Sequence, residues 1–327
     1  MKPTQAATNP FIHSDTNKRY YTYDYYLRRT FGTKCAKIPL DAGFTCPNRD
    51  GTLGTGGCIY CSGRGSGDFA CSPELPIAEQ YRRQREILAG KWREFSCIPY
   101  FQAHTNTYAP LERLKALFEE AVTFPDAVGL SIATRPDCLP DEVLEYLADL
   151  SERTLLTLEL GLQTVHDETA RRINRGYPFK TFLDAYRRIR RIAPRIRISA
   201  HLIFGLIGEN DEMMVETVQT LAALRPDEVK LHVLYVQNDT EMARIYRNGG
   251  YFPMNEAEYV DLVVRAISML PPDTVIGRLT GDGDRKQLLA PLWTKNKRLL
   301  LNKIDKKFYE ANVWQGKNFN ASFVNKP

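Results

Sequence analysis

Residues 155–205 read LLTLELGLQTVHDETARRINRGYPFKTFLDAYRRIRRIAPRIRISAHLIFG. The two ends, LLTLELGLQ and RIRISAHLIFG, are apolar and β-prone over more than a full strand length. Between them, FKTFLDAYRRIRRI has a helical period. Phe179, Phe182, Tyr186 and Ile189 fall on one stripe, and arginines 187, 188, 190 and 191 point mostly away from it. Strand, helix, strand with this spacing is a parallel crossover unit.

The same rhythm extends in both directions. CAKIPLD, CIPYFQAH, AVGLSIAT and EVKLHVLYV are further strand candidates, and PLERLKALFEEAV and PDEVLEYLADL are further helical patterns. The strands carry apolar residues on both faces, as buried parallel strands do. The fold class is therefore α/β: six strands alternating with helices in a partial (β/α)6 barrel, with chemistry on the loops at the C-terminal strand ends. TVIGRL reads as one more short strand and residues 255–270 as one more helix.

Three parts follow. Residues 1–32 are an N-terminal extension, a polar tail read as flexible to residue 19 and then a tyrosine-rich segment. Residues 33–280 are the core barrel, and residues 281–327 a basic C-terminal helix and tail.

The chain has 327 residues, of which 43% are hydrophobic and 25% charged, a globular balance that rules out a disordered or fibrous protein. No apolar run approaches a membrane span. The first residues lack the apolar core of a secretory signal, so the expected location is cytoplasmic. A net charge of +5 permits nucleic acid as a partner without requiring it.

Cysteines stand at 35, 46, 58, 61, 71, 97 and 138, and three of the seven lie within residues 46–61. That crowding favours metal ligation over a disulfide framework. The loop after the first strand, LDAGFTCPNRDGTLGTGGCIYCSGRGSGDFAC, is rich in glycine, which lets backbone turn tightly around a bulky inorganic group. Spacing alone leaves two metals open. Zinc would take four thiolates, with Cys71 completing the set, whereas an iron–sulfur cluster on three cysteines keeps one iron free. Cys35, Cys97 and Cys138 lie in or beside apolar segments and read as small buried hydrophobes.

The motif Cys46-x11-Cys58-Ile-Tyr-Cys61 resembles the radical S-adenosylmethionine (SAM) superfamily, whose signature ends in cysteine, any residue, aromatic, cysteine. The long first gap is a feature of the branch that holds the catalytic subunit of Elongator. Further segments in register are YFQAHTNTYAP, SIATRPD, ELGLQT, INRG, HLIFGLIGE and KLHVLYV. Together they resemble the YhcC/YtqA subgroup over nearly the whole chain.

The resemblance implies that Cys46, Cys58 and Cys61 hold a 4Fe–4S cluster whose fourth iron binds SAM. Reduction then cleaves SAM to methionine and a 5′-deoxyadenosyl radical. Tyr60 fills the aromatic position. The segment Gln102–Asn106 replaces a Gly-Gly-Glu that receives the methionine amino group in many relatives. Gln163 and Arg175 match a cofactor-contacting glutamine and a carboxylate-pairing arginine of oxygen-independent coproporphyrinogen oxidase. His201 falls where that oxidase has a ribose-contacting aspartate. Glu159 joins the candidate cofactor contacts, because an unpaired carboxylate inside an apolar strand would be costly. Ile207 replaces the proline of the usual GLPGE, which relaxes a loop without removing a reactive group. Lys230 and His232 share one face of the sixth strand, either as substrate contacts or as a lysine paired to a buried carboxylate.

The branch implies tRNA as substrate, at the aminomethyl side chain of a wobble uridine, and an electron donor such as flavodoxin or ferredoxin. Arg187–Arg197 and Lys295–Lys307 suit phosphates, or are solvated helix faces. Tyr20–Tyr26 suits an unpaired base or the face of a capping helix. The competing classes are a radical enzyme with a small-molecule substrate and a non-catalytic, zinc-containing nucleic-acid binder.

Overall fold

The computed structural model describes residues 9–65, 67, 69–281 and 283–320. One seven-stranded sheet forms its centre: β1 (Cys35–Leu40), β2 (Ser96–Phe101), β3 (Gly129–Thr134), β4 (Leu155–Gln163), β5 (Arg197–Phe204), β6 (Glu228–Val233) and β8 (Val275–Arg278). The strands lie side by side in that order, and every pairing is parallel. The expected six strands are present, and TVIGRL supplies the seventh. A two-stranded antiparallel pair, β7 (Val236–Gln237) with β9 (Leu288–Ala290), sits beyond the end of β6. Strands of two and three residues have no period to read, so the sequence did not announce them.

The sheet is curled. Three strand spacings separate β1 from β4, about 14 Å in a flat sheet. Yet the ammonium of Lys37 on β1 is ion-paired to the carboxylate of Glu159 on β4. Only a concave sheet brings those side chains together, and the result is a half-barrel with its hollow facing inward.

Crossover helices pack against the strands. They are α2 (Ile77–Ala89), α3 (Leu111–Val122), α4 (Asp141–Ser151), the short α5 (Asp167–Arg172), α6 (Phe179–Ile192) and α7 (Asp211–Leu224). The α6 stripe is buried at Phe182, Tyr186 and Ile189 with Phe179 at its margin. Arg188 pairs with Asp141 and Arg190 with Asp227. In α3, Phe118 is fully buried and meets Phe101 of β2 edge-on, with ring centroids 5.0 Å apart. Cys97 and Cys138 are buried as small hydrophobes, while Cys35 is half-buried. Among the described residues, no helix is long and apolar enough to cross a membrane.

The terminal segments close the open side between β1 and β8. Helix α1 (Tyr23–Phe31) starts at a Thr22 side chain that accepts from the Tyr25 amide (3.1 Å) and stops at Gly32 in the left-handed region. Its entry strand bonds to β8, with the Ile276 amide donating to the Tyr21 carbonyl (2.7 Å). The tyrosines are spent on this closure. Tyr20 is buried against Phe308, Tyr23 lies under the Lys37 ammonium, and Tyr26 lies under the Arg197 guanidinium (4.1 Å). For Tyr20, Tyr23 and Tyr26 the base-stacking role therefore gives way to the capping-helix reading.

The tail read as flexible also differs in its described part. Phe11 is buried, Lys18 pairs with Asp305, and Arg19 donates to the Phe308 carbonyl. Residues 1–8 lie outside the described residues. Helices α8 (Glu241–Arg247), α9 (Glu256–Met269) and α10 (Lys297–Glu310) complete the chain. An Asn255–Glu258 capping box opens α9, and α10 buries Leu300, Ile304 and Phe308.

Replacing Phe118 with alanine removes a ring from a fully enclosed site. It should lower the unfolding free energy by about 3–5 kcal/mol, measured by urea denaturation with the secondary structure otherwise unchanged.

Candidate active site

The loop that leaves β1 is held in place by backbone and side-chain bonds to distant segments. The Cys46 carbonyl accepts from the amides of Arg49 (2.8 Å) and Asp50 (3.1 Å), which makes a tight turn. Asn48 donates to the Asn174 carbonyl (2.6 Å), and Asn174 donates back to the Gly57 carbonyl (2.8 Å). The Ile59 amide donates to Ile173 (3.0 Å), and the Ile59 carbonyl accepts from Met242 at the start of α8 (2.8 Å). Arg49 reaches across the loop to the carbonyls of Cys61 and Ser62. Gly57 has a φ of +75°, and a Cβ there would sit 2.7 Å from the Arg49 Nε, so only glycine serves.

Cys46, Cys58, Cys61 and Tyr60 line one cavity at the C-terminal ends of the strands. Cys71 does not line it. Among the described residues, no three His, Cys, Asp or Glu side chains group closely enough to hold a single ion. Burial pushes the Cys58 thiol up, opposed by Arg135 and the Tyr60 hydroxyl, and pushes Cys61 up to about 12. A metal that binds there must therefore displace protons from neutral thiols.

Strand ends supply the facing walls. At the end of β4 the register shifts between Gly161 and Gln163, and Gln163 adopts a φ of +59°. Its side chain lines the cavity with a buried Oε1 that has no hydrogen-bond partner among the described residues. A Cβ on Gly161 would meet the Gln163 amide at 2.7 Å, so the glycine lets the glutamine fold over its own strand. A non-glycine residue held in the left-handed region, with an unmet acceptor, is a departure from ordinary packing that calls for a physical reason.

The other expected contacts divide. Gln102, Glu159 and His201 line the cavity with Gln163; Asn106 and Arg175 do not. Asn106 is fully buried and donates to the Ala133 carbonyl (2.8 Å), bracing the turn after β2. Arg175 is also buried. It donates to the carbonyls of Leu162, Thr164 (2.7 Å) and Tyr177 (3.0 Å), and its Nη2 keeps no hydrogen-bond partner. It thus clamps the turn that carries Gln163, from behind Tyr177.

Arg135, in the SIATRPD segment, is in the wall and was not singled out from the sequence. Asp137 grips it in two bonds (2.9 and 2.6 Å), and its Nη1 lies 4.0 Å from the Cys46 sulfur. His104, with a φ of +59°, and Tyr177 were missed likewise. The signal for His104 was its place in YFQAHTNTYAP, beside residues already under suspicion.

The floor is built on Glu159, whose side chain has no exposed surface. Its Oε1 pairs with Lys37. Its Oε2 takes Lys230, the Tyr100 hydroxyl (2.7 Å) and His201 Nε2 (2.8 Å). These donors come from β1, β6, β2 and β5. A carboxylate so enclosed belongs to the barrel, which replaces the expectation that Glu159 contacts cofactor directly. Of the two readings of Lys230, the buried ion pair is the one realised.

The ammonium and carboxylate charges hold Glu159 well below the usual carboxylate range, against the cost of burial. Glu159 raises Lys37, while burial pulls Lys230 down to about 7 even though Glu159 opposes it. Burial also lowers His201 and His232, so both rings are neutral at pH 7.

Comparisons with known proteins agree with this geometry. Residues 49–221 match the Radical SAM superfamily, and residues 226–310 match the Radical_SAM C-terminal domain. The chain is 43% identical over 311 residues to YtqA of Bacillus subtilis, spanning 95% of this chain and 96% of that protein. It is 36% identical over 293 residues to YhcC of Escherichia coli, spanning 88% and 91%. Similarity to Elongator complex protein 3 of Mus musculus is 28% identity over 165 residues, 49% of this chain and 29% of that protein. Among solved structures, the Elp3 of the archaeon Methanocaldococcus infernus superimposes with a TM-score of 0.60 at 18% identity. That match covers 86% of this chain and 64% of the archaeal one, and it shows a shared fold.

The lowered lysine sets a pH dependence. Between about pH 7 and its ordinary value of 10.5, native Lys230 holds fewer protons than the unfolded chain. Stability therefore rises with pH across that window, by up to about 1.4 kcal/mol per pH unit for this one group. Lys230→Met should flatten the slope of unfolding free energy between pH 7 and 9 relative to wild type. Cysteine titration is common to both proteins and cancels in the difference.

Proposed function

The chain belongs to the radical SAM superfamily, whose enzymes use a 4Fe–4S cluster and SAM, and on that premise we propose that Cys46, Cys58 and Cys61 are the cluster's ligands. The observation that carries this reading is the convergence of those three thiols, and no fourth cysteine, on one cavity at the strand ends. When bound, the cluster passes one electron to SAM, which splits into methionine and a 5′-deoxyadenosyl radical.

The chain's residues fit that pair of cofactors. Cys46 meets the Arg135 guanidinium, whose positive charge offsets a thiolate and its cluster. Gln163, whose amide oxygen is unmet among the described residues, lines the chamber with Tyr60, Gln102 and His201. These four are our candidates for contacts with SAM. Arg175 and Asn106 are proposed as positioning residues, the first for Gln163 and the second for the turn that bears Gln102. Closure of the half-barrel by α1 and the Glu159 network excludes water from the floor, as a reactive radical requires.

For the substrate we propose tRNA, at the aminomethyl side chain of a wobble uridine, on the resemblance to the Elongator branch. The expected RNA-contacting stretches are narrowed by their ion pairs. Arg188, Arg190, Lys303 and Lys307 are tied to Asp141, Asp227, Glu256 and Asp261. With Arg195 and Lys306 likewise paired to Glu152 and Glu310, and Arg197 against the Tyr26 ring, Arg187, Arg191, Lys295 and Arg298 remain among the described residues as phosphate contacts. A flavodoxin or ferredoxin is the proposed electron donor.

Alanine at Cys46, Cys58 or Cys61 should each abolish bound iron and sulfide in anaerobically reconstituted protein, whereas Cys71→Ala should retain both. Equal loss in the Cys71 variant would replace this assignment with a four-thiolate centre.

Reduced holoprotein given SAM should release 5′-deoxyadenosine and change the mass of the wobble nucleoside in tRNA from cells lacking the gene. Affinity for that tRNA should fall steeply with salt. Release of 5′-deoxyadenosine without tRNA binding or a mass change would point to a small-molecule substrate instead.

A further inference from the structure

The cations around the chamber are engaged with one exception. Arg49 is committed to the carbonyls of Cys61 and Ser62, and Arg135 to Asp137. Lys37 and Lys230 are committed to Glu159. Arg278, the last residue of β8, lines the same cavity half-buried, and among the described residues its guanidinium has neither an ion pair nor a hydrogen bond. Even Glu228, whose carboxylate packs against Gly277 next door, makes no pair with it. A partly desolvated guanidinium without an oxyanion is costly in a cavity wall.

Arg278 stands apart from the cysteines. The cations that bear most on Cys58 and Cys61 are Arg135, Arg175 and Arg49, whereas Arg278 bears on His201, His232 and Lys230 of β5 and β6. His232 lines the same stretch of wall with a buried Nε2 that has no hydrogen-bond partner. The chain after β8 is shaped around this corner. Tyr235 donates to the Gly281 carbonyl (2.7 Å), and a Cβ on Gly281 would stand 2.7 Å from the His232 ring.

We propose that Arg278, with His232 beside it, anchors an oxyanion of the substrate, a carboxylate or a phosphate, at the end of the chamber away from the cluster cysteines. The planar fork of a guanidinium meets two oxygens of either group at once, and a neutral imidazole N–H supplies a third donor. The assignment rests on the radical SAM reading of this cavity and adds the chemistry that its substrate must carry. If the substrate is RNA, the oxyanion is a phosphate of the inserted nucleotide; otherwise it belongs to a free small molecule.

Phenylglyoxal modification of reconstituted holoprotein with SAM present, mapped by peptide mass, tests the anchor. Arg278 should react, and inorganic phosphate or acetate should slow its reaction several-fold while exposed Arg93 reacts unchanged. Transfer RNA should slow it too if RNA is the substrate. Protection by the small anions but not by tRNA would sink the RNA reading and leave the anchor standing. Complete protection by SAM alone, with no further effect of phosphate or acetate, would assign the guanidinium to the cofactor and overturn the proposal.

Calorimetry with inorganic phosphate and with acetate gives a second measure. Arg278→Gln, checked for unchanged iron content, should weaken binding of the better anion by about tenfold, and Arg278→Lys by less. Equal affinity in the glutamine variant would also overturn it.

Discussion

One ionised carboxylate inside the sheet organises this molecule. Glu159 takes donors from four strands, Lys37 of β1, Tyr100 of β2, His201 of β5 and Lys230 of β6. A buried charge is tolerable only when its partners surround it. Surrounding it from both flanks of β4 requires the sheet to curl. The hollow of the half-barrel is therefore polar by construction, and its floor is rigid because Glu159 and its four donors satisfy each other.

That rigidity divides the chamber. At one end the cysteine loop is braced by Asn48, Asn174 and Ile59 against segments far along the chain, and Arg135 sets a positive charge near Cys46. At the other end His201 and His232 present neutral rings, and Arg278 a guanidinium with no ion pair or hydrogen bond among the described residues. On the reading proposed above, the first end takes an anionic inorganic body and the second an anionic organic one. Between them, Gln163 stands in a backbone conformation that only a clamp such as Arg175 holds in place.

A half-barrel leaves two strand edges and an opening. Here the terminal segments cover it. The segment entering α1 bonds to β8 through Tyr21, the helix packs Tyr23 and Tyr26 under Lys37 and Arg197, and Arg19 and Lys18 tie that segment to α10. Aromatic rings beneath ammonium and guanidinium groups suit such a lid, because each offers an apolar body and a face that welcomes a cation. Residues that look like a nucleic-acid platform in the linear chain are thereby consumed in finishing the wall.

The parallel α/β architecture, the order of the strands and the cysteine loop were legible in the chain itself. Each depends on short-range pattern: an apolar run of strand length, a helical stripe such as Phe182, Tyr186 and Ile189, and three cysteines within one glycine-rich loop. Family resemblance added the cofactors, because the motifs recur in fixed order. It did not separate a cavity wall from the layer behind it. Arg175 and Arg135 look alike in sequence, and Asn106 looks as exposed as Gln102; only their places relative to the cavity distinguish them. The partners of Glu159 lie up to 122 residues away on other strands, and that Arg278 meets no carboxylate among the described residues is visible only once they are placed. Local chemistry set which groups the chain possesses. Which of them neutralise one another, and which are left facing the chamber, was decided by the curl of the sheet.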